Sequence, residues 1–344
     1  MLLETRLQAF VQLGHQLQSL TQEQVQELAL NARRQNAWFD EANVSHALHG
    51  VVALLHEAKL RSWLAPYDLT AVKPQKIGVV MAGNIPLVGF HDLLAVLLSG
   101  HYLYAKLSAD DTFLPQWLAQ QLITIEPALA EYIHFVPLLK NVDAVIATGS
   151  DNTARYFEYY FAKKPHIIRR NRSSLAVLTG FESKEELTKL GADIFQYYGL
   201  GCRNVSKLFV PEGYILDFLF EALEPFSWVL NHHKYANNYD YNKSILLVNQ
   251  TPHYDNGFVL LSENKQLVSP ISVVHTETYA SQEDLKDKLA ALQDKIQCTV
   301  SALGWLAGSV PFGEAQSPQV EQYADNVDTL AFLTGLRETP VPQS

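Results

Sequence analysis

Residues 76–109 read KIGVVMAGNIPLVGFHDLLAVLLSGHYLYAKLSA, and the way this stretch divides decides the fold class. KIGVVMAG is a short apolar run ending at a glycine, the length of a buried strand rather than a helix. Asn84 and Pro86 then supply a turn. The apolar stretch from Ile85 to Ala105 has the length of a membrane span, but His91 and Asp92 lie inside it, and Pro and Gly punctuate its start. It reads instead as a buried helix followed by a second strand, HYLYAKLSA. Strand, helix, strand is the repeating unit of an α/β protein with a mostly parallel sheet.

The same alternation extends outward. HFVPLL (residues 134–139) and DAVIATG (143–149) read as a third and a fourth strand, each followed by a helix-like segment. Upstream, residues 1–65 read as helices. The opening MLLETRLQAFVQLGHQLQSL is amphipathic and charged rather than a signal peptide, and SLTQEQVQELALNARRQN begins at a Ser/Thr cap with an acidic first turn. Downstream, SLAVLTG, SKLFVP, ILLVNQ, GFVLLS and ISVVHT read as strands. ESKEELTKLGADIFQYYG, ILDFLFEALEPF and SQEDLKDKLAALQDKI read as helices, and NHHKYANNYDYNKS as a polar aromatic segment. There is no internal repeat and no long linker.

A chain of 344 residues exceeds the size at which one core usually keeps growing, so two lobes are expected, with a boundary near residue 180. With 48% hydrophobic residues it can bury a large core. A formal charge of -10 disfavours a nucleic-acid or anionic-membrane binder. Two cysteines make neither a disulfide framework nor a four-thiolate zinc site, and they suit a reducing compartment, so the expected location is the cytoplasm.

One of those cysteines stands in an unusual setting. In YYGLGCRNVSKLFVP (residues 197–211), Gly199 and Gly201 allow close approach to Cys202, and Arg203 offers a positive charge that favours a thiolate. Cys298, in DKIQCTVSALGW, has no such neighbours and reads as core filler. Gly149 and Ser150 follow the fourth strand, where Ser150 can cap a helix whose N–H groups would receive a pyrophosphate. A GxGxxG fingerprint is absent. Asn84, at a strand end, is either a turn residue or an oxyanion donor. RRNR (169–172) reads as a solvated basic face in preference to a phosphate corner. Adjacent His232 and His233 should point apart, and no HxH or HxxxH partner follows, so no metal is expected.

In their order these segments resemble the aldehyde dehydrogenase superfamily, and within it the acyl-CoA reductases of the bioluminescence fatty-acid-reductase type. AGNIP resembles PWNFP, LLSGHYLYAKLSA resembles LAAGNxVVxKPSE, and IATGSDNTAR resembles FTGSxxxG. RRNRSSLAVL resembles ELGGKSPxIV, GLGCRNVSKLFV resembles GQxCxAxxRxxV, and VPFGE resembles PFGG. The resemblance implies two Rossmann-like lobes with mostly parallel sheets: residues 1–180 for the nicotinamide cofactor, 181–320 carrying the nucleophile, and 321–344 as a tail. It implies Cys202 as nucleophile and Asn84, with the Cys202 N–H, as the oxyanion hole. It also implies Lys106 beneath the adenosine ribose, and Gly149 with Ser150 at the pyrophosphate.

Two departures carry weight. Ile168 falls where hydrolytic relatives carry the glutamate that activates water, and HIIRRNRSS contains no carboxylate. In QLVSP, Gln266 replaces the family's ribose-binding glutamate. The implied activity is reduction of an acyl-CoA to a fatty aldehyde through a thioacyl enzyme, with NADPH, or NADH, as cofactor. The alternatives are an acyl-phosphate reductase, a hydrolytic aldehyde dehydrogenase, and a non-catalytic nucleotide-binding or scaffold protein. The expected partners are the acyl-CoA substrate and a second copy or a partner enzyme, without nucleic acid or an integral membrane segment.

Overall fold

The structure is a computed structural model describing residues 1–69 and 72–336. It falls into two units, Met1–Asn171 with the chain from Gln319 onward, and Arg172–Pro318.

The first unit opens with four helices, α1 (Leu3–Gln18), α2 (Gln22–Gln35), α3 (Glu41–Leu54) and α4 (Glu57–Leu64). Thr21 and Gln24 close a reciprocal capping box at the start of α2. Then come β1 (Lys76–Val80), α5 (Phe90–Leu98), β2 (Tyr102–Lys106), α6 (Phe113–Ile125), β3 (Ile133–Phe135), β4 (Ala144–Thr148), α7 (Asp151–Phe161) and β5 (His166–Arg169). The five strands are parallel in the order β3-β2-β1-β4-β5. Residues 76–109 are therefore a β-α-β unit, and every residue of α5 except His91 is buried, as a helix sandwiched in a core must be. It ends in a Schellman motif: His101 N–H donates to Val96 O and Gly100 N–H to Leu97 O, with Gly100 at φ +91° where a β-carbon would be strained. No helix follows β3 before β4, contrary to the alternation expected there. Leu139 of the connecting loop covers the sheet instead, and a β-carbon on Gly78 would lie 2.9 Å from its Cδ1.

The second unit comprises β6 (Ser173–Val177), α8 (Lys184–Phe195), β7 (Val205–Pro211), α9 (Leu216–Leu223), α10 (His233–Val248), β8 (His253–Asp255), β9 (Leu260–Glu263), β10 (Val273–Tyr279), α11 (Gln282–Leu292), β11 (Ile296–Ser301) and β12 (Val310–Pro311). Its sheet runs β12-β11-β6-β7-β10-β9-β8, parallel except for the β8–β9 pair. The chain then returns to the first unit with α12 (Thr329–Thr334).

Several expectations are corrected. ILLVNQ is the end of α10, not a strand. Tyr235, Tyr239, Asn242 and Leu246 recur at helical spacing on the inward face, Tyr239 and Leu246 packing with Leu260 and Val273, while Leu247 and Val248 face solvent. The aliphatic run that looked like a strand is one inward residue among outward ones. The division between units falls at Asn171, not near 180, because β6 hydrogen-bonds into the second sheet. Residues 319–336, which include the start of the expected tail, pack on the first unit: His91 Nε2 bonds Val320 O at 2.7 Å, and Trp63 Nε1 donates to the Tyr323 hydroxyl at 2.8 Å, while residues 337–344 lie outside the described residues.

Nor is RRNR a solvated face throughout. Arg169 is 3% exposed, with its Nη1 2.6 Å from Asp92 on α5 and its Nη2 donating to Thr329 on α12. The β5 strand turns alternate residues to opposite faces of the sheet, so Arg169 points away from the solvated side that Arg170 shares with Glu158.

Candidate active site

In the first unit, chain connections leave β1 toward β2 and β3, and leave β4 toward β5, so the sheet has a topological switch point between two neighbouring strands. Asn84, Lys106 and Gly149–Ser150 all lie at the carboxyl edge of this sheet, just past or at the ends of β1, β2 and β4. Asn84 is exposed on a tightly folded loop. A β-carbon on Gly83 would meet the Ser108 Cβ at 2.6 Å, so only glycine admits that approach. Two residues past Ile85, Leu87 takes φ +60°, and its N–H donates to Asp111 Oδ2 at 2.7 Å. Asp111 is 3% exposed, its other oxygen has no donor among the described residues, and burial pushes its carboxyl up to about 7 against the pull of the Leu87 N–H.

Ser150 caps α7, its Oγ accepting from Thr153 N at 3.3 Å. A β-carbon on Gly149 would lie 3.1 Å from Thr153, a tight contact in the first turn of α7. Ile168 packs on the apolar cluster of Val142, Val145 and Ala147, together with Phe157 and Phe161 of α7. The place aligned with a water-activating glutamate is thus a hydrocarbon patch.

In the second unit, α8 starts from a Ser183–Glu186 capping box and stops at Phe195. Tyr197, Tyr198 and Gly199 then follow with φ of +53°, +57° and +79°. Two tyrosines in the left-handed region cost about 1 kcal/mol or more each, so the turn persists only because its surroundings hold it. Asn204, 2% exposed, is the main tether. Its Nδ2 is shared among the carbonyls of Asp193 (3.0 Å), Ile194 (3.2 Å) and Gln196 (2.7 Å), which the end of α8 leaves without helical partners. Its Oδ1 accepts from Gly201 N at 2.8 Å. Ser174 Oγ donates to the Cys202 carbonyl at 3.1 Å. The Cys202 backbone is therefore held on both sides while its side chain keeps partial exposure.

Arg203 donates to Ala315 O at 3.3 Å, and its charge also acts on Cys298. Cys298 therefore has the charged neighbours the sequence reading denied it, yet it is buried on β11, and burial pushes its thiol up to about 11. Gln266 is exposed on the loop between β9 and β10. Buried Lys207, five residues past Cys202 in the chain, anchors that loop by donating to Asn264 O (3.0 Å) and Lys265 O (2.9 Å) and pairing with Glu277. His232 and His233 do not point apart. They stack at the start of α10 with ring centroids 5.3 Å apart, because His232 is the cap and is not in regular helix. Among the described residues no three His, Cys, Asp or Glu side chains group so as to hold a metal.

Sequence reasoning missed Asp193, Asn204 and Asp111. The signal for Asp193 was present: it stands on the apolar face of α8 with Leu190 and Ile194, where a carboxylate must have a partner.

The acyl-CoA reductase (LuxC) family matches residues 14–218, more than half of the chain. The chain belongs to that family. The matched span includes Asn84, Lys106, Gly149, Ser150 and Cys202, and ends before Gln266. The fold of this acyl-CoA reductase family member is that of aldehyde dehydrogenases. An indole-3-acetaldehyde dehydrogenase of P. syringae, solved with NAD+ and IAA, aligns at TM-score 0.67 and 13% identity, covering 90% of this chain and 74% of that one. An aldehyde dehydrogenase of Bacillus cereus in complex with NAD+ aligns at TM-score 0.62 and 14% identity (88% and 72% covered), and an NADP dependent enzyme of E. coli at 0.63 and 13% (86% and 72%). A search of curated proteins gave no match. Among the described residues no helix is long and apolar enough to cross a membrane.

Proposed function

We propose that the chain reduces an acyl-CoA thioester to an aldehyde, with Cys202 as nucleophile. The observation that carries this reading is a partly exposed cysteine on a strained, fully tethered turn, inside the span matched by the acyl-CoA reductase family. The Cys202 thiolate attacks the thioester carbonyl and forms the thioacyl enzyme as CoA leaves as a thiolate. The Asn84 amide and the Cys202 N–H are assigned to the oxyanion of the tetrahedral species. Water is kept from competing because Ile168 cannot accept a proton and no carboxylate lies between His166 and Ser174.

A nicotinamide cofactor suits the residues at hand. The α7 N-terminus stands at a switch point, and Lys106 supplies a cation at the end of β2. Lys106, Gly149 and Ser150 would hold its adenosine and pyrophosphate part, and Gln266 the second ribose. Such a cofactor supplies hydride when bound. The cation at Lys106 favours NADPH.

The test is oxidation of NADPH, and separately of NADH, across a chain-length series of acyl-CoA. Turnover that Cys202→Ala abolishes is the expected result. Oxidation with an acyl phosphate and with no acyl-CoA would change the donor class, and turnover with NADH alone would reverse the cofactor choice.

A further inference from the structure

The loop Pro311–Ala315 lies more than a hundred residues from Cys202 in the chain, yet it is tied to the nucleophile turn through Asp193 and Arg203. Asp193, 1% exposed on α8, accepts Gly313 N–H on Oδ2 at 2.7 Å and Ala315 N–H on Oδ1 at 3.0 Å. Its own carbonyl accepts from Asn204, which in turn holds Gly201. From the other side, Arg203 donates to Ala315 O. The two residues that flank Cys202 are thus joined in one closed ring: Gly201, Asn204, Asp193, Ala315, Arg203. Gly313, at φ +87°, and the buried Phe312 complete the seat of this loop against α8.

We propose that Asp193 is a positioning residue for Cys202, fixing the Gly313–Ala315 segment against the nucleophile turn so that both flanks of the cysteine are held in register. The proposal rests on Cys202 being the nucleophile. A carboxylate is the only side chain of this length that offers two acceptors and no donor to two converging N–H groups. Nothing in a packing role demands an ionisable group there, since burial disfavours the charge and pushes this carboxyl up to about 7. Two charge-assisted bonds to one loop are what the charge gains in return.

The variant that separates positioning from scaffolding is Asp193→Asn. It removes the buried charge and keeps one acceptor, but turns an NH2 toward the second N–H, so one of the Gly313 and Ala315 amides is released. The expected result is a thermal midpoint at or above that of the wild type, faster hydrogen exchange in the 311–315 peptide, and kcat reduced about ten- to a hundredfold with KM for acyl-CoA changed less than threefold. Arg203→Met cuts the same ring at its other end. Its effect on kcat should be less than additive with Asp193→Asn. Wild-type kcat in Asp193→Asn, or full additivity of the two changes, would overturn the proposal. Should Asp193→Asn not fold, wild-type kcat in Arg203→Met overturns it alone. Failure of the nucleophile assignment is seen separately, as Cys202→Ala that retains turnover.

Discussion

Asp111 beneath the Asn84 loop makes a measurable claim about pH. Its carboxyl is pushed from the ordinary 3.8 up to about 7, chiefly by burial. In the unfolded chain the group ionises near 3.8, whereas in the fold it keeps its proton until about 7, so the native state binds the extra proton between those values. The stabilisation is complete below the unfolded value and is lost as pH rises through the folded one. Between pH 5 and pH 8 this single group should remove roughly 3 kcal/mol. Asp111→Asn keeps an acceptor for Leu87 N–H and cannot ionise, so subtracting its stability from that of the wild type cancels every other titrating group. Thermal and urea unfolding of both proteins at pH 5, 6, 7 and 8 would read the difference. The variant should gain on the wild type up to about pH 7 and then level off. A difference that stays flat with pH would mean that Asp111 ionises normally in the fold, and the reasoning from burial would fail.

Further outcomes follow from the same geometry. Cys202→Ala should lose turnover by several orders of magnitude with the fold intact, while Cys298→Ala stays near wild type; iodoacetamide at pH 8 should label Cys202 and leave Cys298 until unfolding, as mass spectrometry of the two peptides would show. Asn84→Ala should lower kcat about a hundredfold with cofactor affinity little changed, and lost thermal stability with normal kcat would instead assign it a turn role. Asp92→Asn strands the buried Arg169 guanidinium and should cost about 3 kcal/mol or more in unfolding free energy, whereas a change under about 1 kcal/mol would show that the pair is solvated. Ile168→Glu should lower the thermal midpoint, because the new carboxylate enters the apolar patch under α7, and should raise release of free acid from the thioacyl enzyme; unchanged acid release would show that the residue at 168 does not decide whether water attacks the acyl group.

Local chemistry carried much of this protein. The unbroken apolar runs, the Gly and Pro punctuation and the Ser/Thr caps were enough to read α/β architecture, the β-α-β unit of residues 76–109 and the turn at Cys202, because backbone preferences act over a few residues. The run Ile245–Val248 was not legible, since four aliphatic residues suit a strand or a helix end equally; what decided was Tyr235, Tyr239 and Asn242 already winding toward β9 and β10. Arg169 looked solvated in a string of basic residues until Asp92, on a helix far earlier in the chain, met it on the buried face of β5. Asp193 and Asp111 are unremarkable letters in the sequence. They became ionisable groups under tension only when folding took away their water and brought the N–H groups of Gly313, Ala315 and Leu87 to them, and no local pattern records a partner that arrives from another part of the chain.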